Sequence, residues 1–205
     1  MSLYDKYVIP ELIKFVCGRE QFTQQRQAIL PHAHGTVLDI GIGAGANLPF
    51  YQRDKVKHIF GLEPSQRLQE KASELAASID REIEFINNGA EDIPLQNNSV
   101  DTAVITFTMC SIAEIQQAME ETRRVLKPGG QLLFCEHGMA PDARIQRWQN
   151  RLNPMWKKLA GGCHLNRDIP ELIRQAGFKI EDIDSQYMKG PRPFSFIYKG
   201  IAKRD

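Results

Sequence analysis

The stretch Thr36–Leu48, TVLDIGIGAGANL, constrains this chain more than any other. Val37, Leu38 and Ile40 make a short apolar run, broken only by Asp39 and closed by a glycine. A run that short, bounded by turn residues, reads as a buried strand of a parallel sheet. Gly41, Gly43 and Gly45 then form a tight turn, and residues without a Cβ let a ligand touch the main chain. The chain from Ala46 onward is expected to enter a helix whose N-terminus faces that ligand. Strand, turn and helix together place a nucleotide-like group at the carboxyl edge of a sheet.

Gly41, Gly43 and Ala46 satisfy the relaxed dinucleotide spacing G-x-G-x-x-A, which on its own also fits an ordinary turn. Glu63 adds to the signal. The run HIFGLEPS, His58 to Ser65, reads as a second strand ending in an acid. An acid there, about 20 residues past the glycines, accepts hydrogen bonds from ribose hydroxyls. That arrangement suits NAD and suits S-adenosylmethionine equally.

The totals narrow the class. A chain of 205 residues is long enough for one well-buried core and short for two, so a single domain over 1–205 is expected. Lys plus Arg number 26 and Asp plus Glu 25; this balance argues against a dedicated nucleic-acid binder. Cys17, Cys110, Cys135 and Cys163 form no C-x-x-C pair, so local spacing suggests neither a metal site nor a redox motif. Their scatter, with no signal peptide, fits reduced thiols in a cytoplasmic protein. No run approaches the ~20 apolar residues of a transmembrane span.

Residues 1–30 read as N-terminal cap helices. The apolar segment Leu3–Gly18 carries Tyr4 and Tyr7, which could reach over a ligand, and Gln21–Leu30 reads as a helix stopped by Pro31. Ser65–Ser78 has an apolar stripe at Leu68, Ala72, Leu75 and Ala76 and reads as a helix. A third strand at Glu84–Asn87 leads into NNGAEDIPL, where a small residue and an acid are placed to line an adenine. Val100–Cys110 reads as a buried strand, Glu114–Leu126 as an amphipathic helix ended by KPGG, and Gln131–Cys135 as the next strand. Residues 138–168, with Trp148, Trp156, Pro154 and Gly161-Gly162-Cys163, do not fit a simple crossover helix and are expected to be a lid insert after strand five. Phe178–Ile183 and Phe194–Ala202 read as two closing strands. The loop between them lacks room for a helical crossover, so they should pair antiparallel.

Taken together, VLDIGIGAGAN, Glu63, GAEDIPL, the SVD of Ser99–Asp101 and LKPGG resemble the motifs of class I S-adenosylmethionine-dependent methyltransferases along nearly the whole chain. The fold this implies is α/β: a Rossmann-like, seven-stranded, mostly parallel sheet with an antiparallel last strand and helices on both faces. A narrower likeness runs from Cys110 to Gly138 and through GCHLNR, Gly162–Arg167. It is similar to the mammalian methyltransferase-like-seven group of the type-11 methyltransferases, associated with alkyl thiol S-methylation and lipid surfaces. That group's N-terminal membrane anchor has no counterpart in these residues, so peripheral membrane contact is the most that carries over. Relatives in the wider group act on quinones, lipids and small metabolites.

The resemblance implies roles. Asp39, Gly41, Gly43 and Gly45 would hold the methionine part of S-adenosylmethionine, with Asn47 beside it. Glu63 would take the ribose, Ala90 and Glu91 the adenine, and Thr106 with Phe107 would line the sulfonium side. His137, at the end of strand five, is the first choice for a general base and His164 the second. Cys163 and Arg167 would shape the acceptor pocket, while Cys110 reads as a small buried hydrophobe. The expected activity is methyl transfer to a small molecule such as a thiol, a lipid or a quinone-type compound. The alternatives are an NAD(P)-dependent oxidoreductase and a non-catalytic adenosyl-ligand-binding protein.

Overall fold

The structure is a computed structural model that describes residues 20–205. The expectations for Leu3–Gly18, and for Tyr4 and Tyr7, lie outside the described residues. Helix α1, Glu20–Ile29, runs into a 3-10 turn at Leu30–His32 that contains Pro31. Strand β1 is Gly35–Ile40 and β2 is Val56–Leu62. Helix α2, Gln66–Ser78, leads to β3, Glu84–Ile86. Then come β4, Val100–Thr106, helix α3, Ile115–Val125, and β5, Leu126–His137. Helix α4 is Ala143–Leu159, α5 is Ile169–Gln175, and β6, Phe178–Tyr187, and β7, Phe196–Arg204, close the chain.

The sheet order is β3-β2-β1-β4-β5-β7-β6. Strands β1 to β5 are parallel, and β7 runs antiparallel to both of its neighbours. The reason is local: between β6 and β7 the chain has space only for a 3-10 turn at Arg192–Phe194, and a parallel return needs a crossover of a dozen or more residues. β1 pairs with β2 on one side and β4 on the other, so the order reverses there. A crevice opens past the carboxyl ends of strands at such a switch point.

Alternate side chains of the central strands enter opposite layers, as the two-residue repeat of a strand requires. Leu38, Ile40, Ile105 and Phe134 pack with Met119, Val125 and Ile173 from α3 and α5. Val37, Val104, Leu133 and Cys135 pack on the other face with Ile29, Leu30 and Ala76 from the α1 and α2 side. Both faces of the parallel strands are therefore covered, which explains why they read as continuous apolar runs.

Two expectations need correction. No α-helix follows the glycines. The chain turns through Asn47 into a single 3-10 turn at Leu48–Phe50 and then reaches β2. Pro49 has no N–H to continue a helix, and too few residues remain before β2 for several turns. KPGG does not merely stop α3. It lies inside β5 as an irregularity, where Val100 pairs with Leu126 but Thr102 pairs with Gln131.

Residues 138–168 hold a 17-residue helix, α4, with Pro154 inside it, and a turn through Gly161 and Gly162. Buried Gln149 anchors α4: its Oε1 accepts from the Ala140 N–H at 2.9 Å, and its Nε2 donates to the Gly138 and Pro193 carbonyls at 3.0 and 3.2 Å. Asp168 caps α5 by accepting from the Glu171 N–H at 3.1 Å.

Candidate active site

The turn after β1 is pinned to β2. The Gly41 and Ile42 N–H groups donate to the Leu62 carbonyl at 2.8 and 3.3 Å. Gly41 has φ +70, and a Cβ there would stand 2.4 Å from the Thr108 side chain, so no other residue fits. Gly43 differs. The atom nearest its missing Cβ is the Gly41 carbonyl oxygen at 3.8 Å, so the space over it is open. Gly45, φ +84, ends the turn.

A cleft of about 290 Å³ opens between this turn and the loops after β2, β3 and β4. Gly41, Glu63, Gly89, Ala90 and Glu91 line one side, and Thr108, Ser111, Ile112 and Ala113 the other. Glu63 is nearly buried, at 7% exposure. Its carboxylate accepts from the Ser65 N–H at 2.9 Å and the Gly43 N–H at 3.2 Å. Burial pushes this carboxyl up, against the pull of those two N–H bonds. Of the residues singled out in the sequence, the cleft brings together Gly41, Glu63, Ala90 and Glu91.

Asp39, Asn47 and Thr106 come together beneath the turn rather than on the cleft wall. Asn47 Nδ2 donates to both Asp39 oxygens, at 2.9 and 3.1 Å, and the Tyr51 hydroxyl donates to Asp39 at 2.8 Å. Asn47 Oδ1 accepts from Arg26 Nε at 3.1 Å and from the Thr106 hydroxyl at 3.0 Å. This network ties α1, β1, the turn and β4 together. Phe107 follows with φ +56, an uncommon backbone state for a bulky residue. Its ring meets Phe22 edge-on at 4.8 Å, and the Arg26 guanidinium lies 5.3 Å from its centre.

Burial pushes the Asp39 carboxyl up to about 6, outweighing the bonds from Tyr51 and Asn47 and the charge of Arg26. The folded state then holds a proton that the unfolded chain has released between its ordinary value of 3.8 and about 6. With more protons bound folded than unfolded, this group's contribution to stability falls as pH rises through that window. Asp39→Asn carries no charge at any pH and is expected to flatten this part of the profile. Chemical denaturation across the window should show the wild type losing on the order of 2–3 kcal/mol relative to the variant. Parallel profiles would contradict a raised Asp39.

The acceptor-side candidates form a second cluster. Cys163 Sγ lies 3.3 Å from His137 Nε2 and accepts from Trp156 Nε1 at 3.3 Å. Cys110 is buried as expected, but its sulfur joins this cluster: the ligand atoms of Cys110, His137 and Cys163 all lie within 4.8 Å of one another. A hydrogen bond with Cys110, joined by those with His137 and Trp156, outweighs burial and draws the Cys163 thiol well below its ordinary value. Burial alone would lower the His137 imidazole; its contact with Cys163 outweighs that and raises it. His164 is turned to the Cys110 carbonyl, with Nδ1 3.0 Å away. Arg167 binds the Met109 carbonyl, and its Nη2 donates to the Ile112 carbonyl at 2.6 Å.

Sequence reasoning overlooked several residues. Tyr51 and Arg26 complete the Asp39 network. Glu136 is fully buried, and its Oε1 accepts from the Thr108 and Met109 N–H groups at 2.7 and 3.0 Å, which sets the loop that walls the cleft. The signal available for Glu136 was its place at the carboxyl end of a strand adjacent to β4.

These features define a Rossmann-like fold whose cleft, with a bare turn on one side and an acid at the end of β2, is built for an adenosyl group. The methyltransferase domain family matches residues 38–134. Thiol S-methyltransferase TMT1B of Rattus norvegicus is 31% identical over 184 residues, covering 89% of this chain and 74% of that protein. The ubiquinone/menaquinone biosynthesis C-methyltransferase UbiE of Roseobacter denitrificans is 26% identical over 176 residues, covering 82% and 68%. The crystal structure of an S-adenosylmethionine-dependent methyltransferase from Aquifex aeolicus superposes with a TM-score of 0.69 at 18% identity, covering 96% of this chain and 98% of that one, a likeness of fold. The chain belongs to the S-adenosylmethionine-dependent methyltransferases. It is an enzyme that uses S-adenosylmethionine, and neither alternative reading has support from these relatives.

The residues present fit that cofactor. A carboxylate offers about four acceptor positions; two on Glu63 are taken by Gly43 and Ser65, which leaves room for two ribose hydroxyls. The uncovered main chain at Gly43 is what close approach of a ligand requires. Among the described residues, no helix is long and apolar enough to cross a membrane.

Proposed function

We propose that this methyltransferase acts on a small-molecule thiol. The observation that carries the reading is the Cys110–His137–Cys163 group beside Trp156, one residue away from the cleft wall at Ser111. The name of the rat relative supports it. When bound, the cofactor supplies an already activated methyl group, so the chain's work is positioning, exclusion of water and ionisation of the acceptor. Glu63 holds the ribose, and Ala90 with Glu91 holds the adenine. Gly41, Gly43 and Gly45 take the methionine part, with Asp39 and Asn47 setting the turn from below and Thr106 and Phe107 bordering the sulfonium side.

His137 and Cys163 serve the acceptor. With its Nε2 engaged by Cys163, His137 acts together with that sulfur rather than as a lone base. Residues 138–168 form the acceptor-side lid of one methyltransferase domain. The protein works in a reducing, cytoplasmic setting, needs no nucleic acid, and makes peripheral membrane contact where it meets a lipid surface.

The direct test measures S-adenosylhomocysteine release with alkyl thiols, hydroquinones and amino-lipids as acceptors. Thiols are expected to turn over; turnover of hydroquinones or amino-lipids without thiols would overturn the reading. Trp156→Ala removes the donor to Cys163 and a ring that packs on Phe194 at 4.7 Å. It should cut thiol turnover by about tenfold or more with little change in S-adenosylhomocysteine affinity. Equal damage to both would count against the lid.

A further inference from the structure

Cys110, His137 and Cys163 reach one point from three separate elements: the loop after β4, the end of β5, and the turn after α4. Zinc bonds of about 2.3 Å to sulfur and 2.0 Å to nitrogen at tetrahedral angles set ligand atoms roughly 3.5–3.8 Å apart. The three donors already lie within 4.8 Å of one another, with His137 Nε2 and Cys163 Sγ at 3.3 Å. Gathering them on one ion takes a side-chain shift of about 1 Å or less.

The backbone around them is held in advance. The His164 N–H donates to the Cys110 carbonyl at 2.8 Å, which locks the segment carrying Cys163 to the one carrying Cys110. Arg167 braces the same loop through the Met109 and Ile112 carbonyls. Gly161 and Gly162, with φ +60 and +88, make the reversal that delivers Cys163. Trp156 Nε1 donates to Cys163 Sγ at 3.3 Å, the kind of outer contact that orients a metal-bound thiolate.

We propose that Cys110, His137 and Cys163 hold a zinc ion whose fourth position receives the sulfur of the acceptor. Two thiolates and one imidazole make a three-ligand set of the open, catalytic type; closed structural sites use four protein ligands. Ser111 and Ile112, directly after Cys110, line the cleft, so the fourth position adjoins it. On binding, the acceptor thiol gives its proton to solvent and its sulfur becomes the fourth ligand. That sulfur's electron pair then forms the new S–CH3 bond as the bond from methyl to sulfonium breaks. The pair from the broken bond stays on the departing thioether sulfur. The fourth ligand rests on the thiol reading above; the metal site itself does not.

The test strips the full chain with a chelator under a phosphine reductant and titrates it with Co²⁺. One equivalent should produce thiolate-to-cobalt charge-transfer absorption with the intense visible bands of a tetrahedral site, and Zn²⁺ should bleach both. Cys110→Ser, Cys163→Ser and His137→Ala should each lower metal affinity by more than about tenfold, while Cys135→Ser, altered in the sheet core, should keep the wild-type spectrum. S-adenosylhomocysteine titration of the same samples shows that the variants are folded. Absence of the charge-transfer band in the wild type, or wild-type cobalt affinity in all three ligand variants, would overturn the site. Adding a short alkyl thiol should shift the visible bands; a loaded protein whose bands do not move would overturn the open fourth position. An intact cobalt spectrum in a protein that turns over hydroquinones or amino-lipids but no thiols would instead overturn the thiol reading and leave the metal site standing.

Discussion

Gly43→Val should abolish S-adenosylhomocysteine binding while the protein still folds. Gly43 has φ +57, a region where a β-branched residue is strained, at a cost of about 1–2 kcal/mol. That is small against the stability of a domain of this size. The larger effect is steric: nothing within 3.8 Å opposes a Cβ at this position, so the added side chain occupies the space over the turn where the cofactor's main-chain contacts must form. Calorimetric titration alongside thermal unfolding checks both halves. A folded Val variant with normal affinity would refute the close-approach argument, and Gly43→Ala should fall between the two.

The second large effect is expected at Glu63. Glu63→Ala removes a carboxylate that the Gly43 and Ser65 N–H groups hold in place. Charge-assisted hydrogen bonds contribute about 1.5–3 kcal/mol, so S-adenosylhomocysteine affinity should drop roughly 10- to 100-fold. Glu63→Gln keeps the shape but offers one acceptor oxygen instead of two, and an intermediate loss is expected. Equal affinity in all three proteins would remove Glu63 from the site.

Much of the fold could be read from short-range patterns. The buried runs at β1, β4 and β5 show as apolar stretches because helices cover both faces of those strands. The antiparallel closure follows from how little chain separates β6 from β7. Glu63 stands out because it directly follows a strand and lies close in sequence behind the glycines. The missing helix after Ala46 was foreseeable from Pro49, but the glycine spacing outweighed it. Asp39 is different. Strand and position were legible, whereas the inward turn of its carboxylate toward Asn47 and Tyr51 depends on where Arg26 and Thr106 end up.

By itself the sequence determined the strand–turn–strand unit that borders the cleft, because backbone conformation and alternation of side chains are set by neighbours along the chain. Only the tertiary structure decided that Cys110, His137 and Cys163 come together. His137 and Cys163 are 26 residues apart in sequence, and no spacing rule links them or reaches back to Cys110. They meet because pairing of β4 with β5 brings two strand ends together, and because the turn after α4 is hydrogen-bonded onto the loop that carries Cys110. Sheet register and helix docking are long-range outcomes of core packing, so the chemistry they assemble appears only when the chain is folded.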